Sequence, residues 1–215
     1  MLVVTGFPLL AARALEAWGT RATGAVVFAV GLLSFALSVR RRLPGFGLAL
    51  RSLPLALPGL ALLTGDARFL QLVPAAIELV LCLVFLGSLR GGGSILKQAA
   101  LLLEPYAPDF IGPYCRKATA GFAMLFAAQA VALGWLGHEE YGPGWARSAS
   151  LLVWVPTLAG TSFEFLVRKA WFRHYGGNPV DRALRVLLPP ENTARGRRSL
   201  DYIRRVRHEL GMPPP

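Results

Sequence analysis

Long apolar runs constrain this chain more than any other feature of its sequence. A helix that crosses a bilayer needs about 20 consecutive, mostly apolar residues, because the hydrocarbon core is ~30 Å thick. Four runs meet that standard: 22–39, 69–89, 118–136 and 148–167. The second is interrupted only by Gln71, Pro74 and Glu78, and the fourth carries Glu164 near its end. Two runs are weaker: 2–18 contains Arg13 and Glu16, and 46–63 contains Arg51, Pro54 and Pro58. In lipid the backbone must satisfy its own polar groups, so these runs are expected to be helical, with the prolines kinking or shortening theirs. The beginning of the chain has neither a positive leader nor a small-residue cleavage site, so it reads as a first helix and not as a signal peptide. The expected fold is an all-α polytopic membrane protein with six transmembrane helices, or alternatively five. The six form three hairpins, 1–39, 46–89 and 118–167, without a residue-level repeat.

Charge supports this reading. Hydrophobic residues make up 54% of the chain and charged residues 16%, against about 25% charge in soluble domains. The charges are sparse up to Val167 and dense from Arg168 onward, which separates a transmembrane body, 1–172, from a basic tail, 173–215. The net charge of +11 would suggest nucleic acid on a soluble protein, but no recognition module is present. Lys and Arg accumulate instead in cytoplasmic loops. With six crossings and a cytoplasmic N-terminus, 19 of the 23 basic residues fall on or near the inside, among them Arg40–Arg42, Arg90, Lys97, Arg116 and Lys117. Arg21, Arg68 and Arg147 stay outside, beside the acidic Glu139 and Glu140. Removing 46–63 as a span would place Arg40–Arg42 outside, so that segment is expected to cross. Removing 2–18 changes only the side of the N-terminus. The expected location is a bacterial inner membrane with the C-terminus in the cytoplasm.

The polar segments offer short amphipathic helices. Gly91–Gly93 reads as a flexible helix terminus, since no Gly-Lys-Ser or Gly-Lys-Thr closes it into a phosphate loop. Residues 94–103 form a leucine-rich surface helix capped by Ser94, and Pro105, Pro108 and Pro113 interrupt regular structure before the span at Ala118. In the tail, Asn178-Pro179 opens one helix, with Val180, Leu184, Leu187 and Leu188 on one side. Ser199 caps a second, in which Leu200, Ile203, Val206 and Leu210 recur at helical spacing and Gly211 ends the run. Arg204, Arg205 and Arg207 flank that stripe as a basic patch. The stripe either packs on the protein's own cytoplasmic face or meets anionic lipid or an acidic partner.

Ionisable groups at membrane depth are costly and point to function by default. Arg13 and Glu16, three apart, share a helix face and can neutralise each other. Glu78 has no cation nearby in sequence. It must be protonated, reach Arg13 or Arg51, or line a polar cavity. Glu164 and Arg168 have the spacing of an ordinary i,i+4 pair. Thr157 and Thr161 share a face and fit a polar seam between helices. No catalytic residue is identifiable. Cys82 and Cys115 are read as reduced thiols. The three histidines, His138, His174 and His208, lack ligand spacing, and neither a metal nor a cofactor is expected. No serine elbow, kinase set or nucleotide fingerprint is present.

Two short segments carry a resemblance. One is Tyr114-Cys115-Arg116-Lys117-Ala118-Thr119, which follows Glu104-Pro105, opens a span and reads as a cytoplasmic loop motif. The other is Phe163-Glu164-Phe165-Leu166-Val167-Arg168-Lys169, closing the last span. With the six-segment layout, from about Phe7 to Phe172, they resemble a family of uncharacterised bacterial inner-membrane proteins. That family occurs beside β-ketoacyl synthases, acyl carrier proteins and acyltransferases that make aryl-polyene-type pigments and related acyl lipids. The resemblance implies an accessory protein that anchors or assists such synthesis or delivers its product. Acyl carrier protein or synthase subunits and membrane lipids would be its partners. The residues leave two rivals open: a small lipid transporter or flippase component using Glu78 and Arg13, and a membrane-embedded lipid-modifying enzyme using Glu164 and Arg116.

Overall fold

Helix α1, Leu2–Val39, is two helical stretches joined at Gly19, where the backbone takes φ 75° and ψ 175°. Only glycine adopts that region readily, and the Thr23 hydroxyl donates to the Gly19 carbonyl at 2.8 Å. The computed structural model describes residues 2–39, 45–91, 93–103, 109–139, 143–173, 175, 179–209 and 211. Arg40–Arg42, Gly92, Pro105, Pro108, Glu140, His174, Asn178 and Leu210 lie outside them, as do the side chains of Arg51 and Arg207. The described residues are almost entirely helical and contain no strand. After α1 come α2 (Gly45–Thr64), α3 (Arg68–Gln71), α4 (Val73–Arg90), α5 (Ile95–Leu103), α6 (Gly112–Glu139), α7 (Pro143–Phe172), α8 (Pro179–Leu187) and α9 (Ala194–Glu209). Short 3-10 turns precede α6 at Asp109–Ile111 and α9 at Pro190–Asn192.

Four stretches are long and apolar enough to cross a membrane: Phe7–Ala36, Arg68–Arg90, Gly112–His138 and Gly144–Phe172. The expectation of six separate spans is therefore met for four. The runs 2–18 and 22–39 fall within the single kinked α1, and the apolar part of α2 is the shorter Pro54–Thr64.

The chain forms two compact units, 1–86 with 122–157, and 87–121 with 158–215. In the first unit, the second half of α1 packs antiparallel on α2. Gly24 meets the backbone of α2, where an added Cβ would sit 3.0 Å from Leu62 N and 3.2 Å from Pro58 O, and Gly31 meets Leu55. Small residues permit this approach where lipid supplies no hydrophobic force between helices. The runs 68–86 and 122–139 are also antiparallel, with Gly137 against the Gln71 carbonyl and Phe85 against Phe122 and Phe126, ring centroids 6.1 and 5.0 Å apart. Trp145 centres a core with Leu133, Ala146 and Ala149, onto which Ala12 and Ala75 pack. In the second unit, Ala100, Ile111, Cys115 and Phe172 form the core, with Leu96, Phe110 and Tyr114 around it.

Candidate functional site

Polar side chains gather in two places, one in each unit. In the first, Gln71, Glu78 and Gln129 are buried, at 4%, 3% and 4% exposure. Gln71, Glu78 and Phe85 recur every seven residues and so lie on one side of their helical run. With Gln71 opposite Gly137 and Phe85 opposite Phe122 and Phe126, the antiparallel register brings Glu78 level with Gln129. Gln129 Nε2 donates to the Leu152 carbonyl at 2.8 Å, the Val153 carbonyl at 3.1 Å and Thr157 Oγ1 at 3.2 Å. The first of these matters most. Pro156 lies inside α7 and has no N–H to offer the carbonyl four residues earlier, that of Leu152. A neighbouring helix supplies the missing donor, as membrane helices with internal proline require. Among the described residues, Gln71 Oε1, Glu78 Oε2, Gln129 Oε1, Trp145 Nε1 and Ser150 Oγ have no hydrogen-bond partner. The first unit thus holds a row of buried, underused polar atoms.

Arg13 does not join this row. It lies 3.6 Å from Glu16, with side chains 87% and 52% exposed, so the sequence pairing within that helix is what the structure contains. Of the two threonines expected in a polar seam, Thr157 meets Gln129. The Thr161 hydroxyl donates to Leu158 O on its own helix, 3.1 Å away.

In the second unit the two motif segments come together. Tyr114 Oη donates to the Glu164 carbonyl at 3.3 Å, and its ring lies 5.5 Å from that of Phe172, edge to face. The motif is not a loop. Gly112 and Pro113 start α6, so 114–119 occupies its first turns. Proline is accommodated there because first-turn N–H groups have no helical acceptor anyway. Helical spacing then divides the motif. Cys115 and Thr119 are buried, with Thr119 Oγ1 donating to the Cys115 carbonyl at 2.7 Å, while Arg116 and Lys117 are exposed. Glu164 Oε1 pairs with Arg168 Nε at 3.1 Å, both side chains 11% exposed. Both cysteines are buried free thiols.

The tail folds back onto the end of α7. Lys169 and Asp181 are an ion pair at 3.0 Å with side chains 2% and 1% exposed. Ser199 Oγ donates to the Phe172 carbonyl at 2.8 Å. Arg173 donates to the Pro189 carbonyl, and Tyr175 Oη donates to the Leu188 carbonyl at 2.9 Å. Burial, with Asp181 nearby, raises the Tyr175 phenol above its ordinary value against the opposing pull of Arg173. The Arg198 guanidinium lies 4.9 Å over the Phe110 ring, and that of Arg195 lies 4.1 Å over Trp171.

One expectation for the tail is corrected. Ser199 does not cap α9. The helix begins at Ala194, where Thr193 Oγ1 accepts the Gly196 N–H at 3.1 Å, and Ser199 sits within it. The apolar positions of α8 are divided between core and surface. Asp181 turns it so that Asp181 is buried and Leu184 and Leu188 half-buried, leaving Val180 and Leu187 46% and 74% exposed. Ser94, by contrast, caps α5 as expected, accepting the Lys97 N–H at 3.3 Å, and Gly211, with φ 65°, follows α9.

Arg204 and Arg205 are exposed on α9, and Arg204 lies 3.8 Å from Asp201. Arg207 follows on the same helix. Among the described residues no group of three His, Cys, Asp or Glu side chains could hold a metal ion. Asp181, Trp171 and Gln129 are not singled out by the sequence, and Lys169 enters it only as the end of the 163–169 segment. Two signals were available: Gln129 is a lone amide in an apolar run that faces a proline-containing helix, and Asp181 is an acid in the first turn of an Arg-rich helix. No family model matches the chain, and neither a characterised protein nor a solved structure matches it.

Proposed function

We propose that this chain is an integral inner-membrane accessory protein whose folded basic tail, 173–215, holds an acidic soluble partner at the membrane. The observation that carries this reading is the docking of the tail. Buried Lys169 and Asp181, and Ser199 on the Phe172 carbonyl, fix α8 and α9 to the end of a membrane-length helix, while Arg204 and Arg205 stay exposed. A rigid, positively charged surface steers an acidic partner and fixes its orientation better than a free tail does. The resemblance of 114–119 and 163–169 suggests the partner: acyl carrier protein or synthase subunits of acyl-lipid or polyene synthesis.

In this reading the C-terminus is cytoplasmic and the chain crosses six times with a cytoplasmic N-terminus, or five times with the N-terminus outside if 2–18 does not cross. The charge asymmetry and the antiparallel packing of α2 along the second half of α1 support the count. The test is copurification of the full chain with its acidic partner in mild detergent. Reversing Arg204, Arg205 and Arg207 to Glu should abolish recruitment and leave abundance unchanged. Undiminished recruitment would reject the tail as the docking surface.

The buried row Gln71–Glu78–Gln129 favours a second reading, a small lipid transporter or flippase component. It expects Glu78→Gln to stop substrate movement in reconstituted vesicles while the protein still folds. Equal transport by the variant removes it.

A further inference from the structure

The end of α7 carries a groove that partner recruitment does not use. It measures about 400 Å³ and is lined by Ala170, Trp171, Arg173, Thr193, Ala194 and Arg195. None of these is acidic. The Arg195 guanidinium carbon lies 4.1 Å over the centre of the Trp171 ring, a cation–π contact that leaves its N–H donors available to an anion. Arg173 gives one N–H to the Pro189 carbonyl and retains others from its five. Here α9 also begins, so the Ala194 and Arg195 N–H groups have no intrahelical acceptor.

The position of the groove along α7 identifies the anion. The membrane-length stretch Gly144–Phe172 ends at the groove, and Trp171, 53% exposed, is a ring of the kind that sits at headgroup depth. Phe163 and Leu166, 70% and 48% exposed, lead to it with Ala170 along one side of α7, at i, i+3 and i+7. Helix α8 has the same duality. Val180, Ala183, Val186 and Leu187 form an exposed apolar arc beside exposed Arg182 and Arg185, the pattern of a helix lying in the bilayer surface. A soluble phosphate ester would need the cationic groove but not the apolar strip that runs into it.

We propose that the groove binds the phosphate of one anionic glycerophospholipid, with an acyl chain along Phe163, Leu166 and Ala170. The inference rests on the membrane location of the chain but not on the identity of its soluble partner, which is read through Arg204 and Arg205.

The test is native mass spectrometry of the full chain, delipidated in detergent and titrated with phosphatidylglycerol, phosphatidylcholine or inorganic phosphate. The expected result is one retained phosphatidylglycerol, with phosphatidylcholine about tenfold weaker. Trp171→Ala/Arg195→Ala should weaken phosphatidylglycerol by about tenfold or more. Arg195→Gln, which removes the charge at an exposed position, should do most of this without disturbing the fold. Arg204→Ala, exposed on α9 and not among the residues lining the groove, should retain the lipid. Equal retention by the groove variants overturns the proposal, as does equal loss in Arg204→Ala. Phosphatidylcholine or inorganic phosphate binding as tightly as phosphatidylglycerol overturns it too.

Discussion

Gln129 Nε2 lies 2.8 Å from the Leu152 carbonyl oxygen, the acceptor that Pro156 leaves without a helical donor. A side chain on α6 thereby repairs a backbone defect in α7. The same nitrogen reaches Val153 O and Thr157 Oγ1, so one amide serves a full turn of the neighbouring helix. Membrane helices gain little from hydrophobic contact with each other, and a bond of this kind specifies which faces meet.

Gln129→Leu should destabilise the protein by about 1–2 kcal/mol, since it removes the donor and strands the Leu152 carbonyl. Pro156→Ala restores the helical N–H, so the cost of Gln129→Leu should shrink in that background. Reversible unfolding in mixed detergent over the four combinations measures the coupling. Additive effects would show that the amide does not compensate the proline.

Lys169 and Asp181 are buried together, and Asp181 accepts at Oδ2, 3.2 Å from Nζ. Removing one partner strands a charge, which typically costs about 3–5 kcal/mol. Asp181→Ala should release α8 and α9 to protease before the remaining helices unfold. Lys169→Met/Asp181→Leu should recover most of the protection, because an apolar pair is often equivalent. Protease resistance of Asp181→Ala equal to wild type would show that other contacts hold the tail.

Gly196 is fixed by contact. A Cβ there would overlap the Pro190 carbonyl oxygen and sit 2.8 Å from Pro190 Cα, both backbone atoms. Gly196→Ala should cost about 1–3 kcal/mol by forcing the start of α9 away. It should also change Trp171 fluorescence as Arg195 leaves the ring. Nothing lies within 4 Å of a Cβ at Gly134, so Gly134→Ala should be neutral or stabilising by up to about 1 kcal/mol.

The Tyr175 phenol is raised in the folded chain by burial, and it donates to the Leu188 carbonyl. A raised acid favours its neutral form when folded. Its contribution is complete below the unfolded tyrosine value of ~10 and falls as pH rises through the folded value. Tail docking should therefore weaken at strongly alkaline pH. Tyr175→Phe, without an ionisable group, should show less of that dependence when proteolysis is followed against pH.

The sequence by itself determined helix, membrane length and the distribution of charge, because each depends on residues close together in the chain. Apolar run length, the spacing of Arg13 from Glu16 and of Glu164 from Arg168, and the Ser94 cap are all local, and all were legible. The places where the structure departs from the sequence reading depend on the neighbours of a helix. Prolines 54 and 58 predict a kinked or shortened helix, yet α2 runs through both, with only its apolar part shortened to Pro54–Thr64. Pro113 suggested a break and instead starts α6. The Tyr114 segment read as a loop and lies on a helix, half of it facing inward. Leu184 and Leu187 share a side of α8 by spacing, yet only Leu184 is half-buried and Leu187 is exposed, because Asp181 twelve residues beyond Lys169 sets the roll of the helix. Ser199 read as a cap and holds a carbonyl from another helix. Periodicity says that a helix has faces. Which face is buried depends on which distant donor, acceptor or charge arrives to meet it, and only the packed chain decides that.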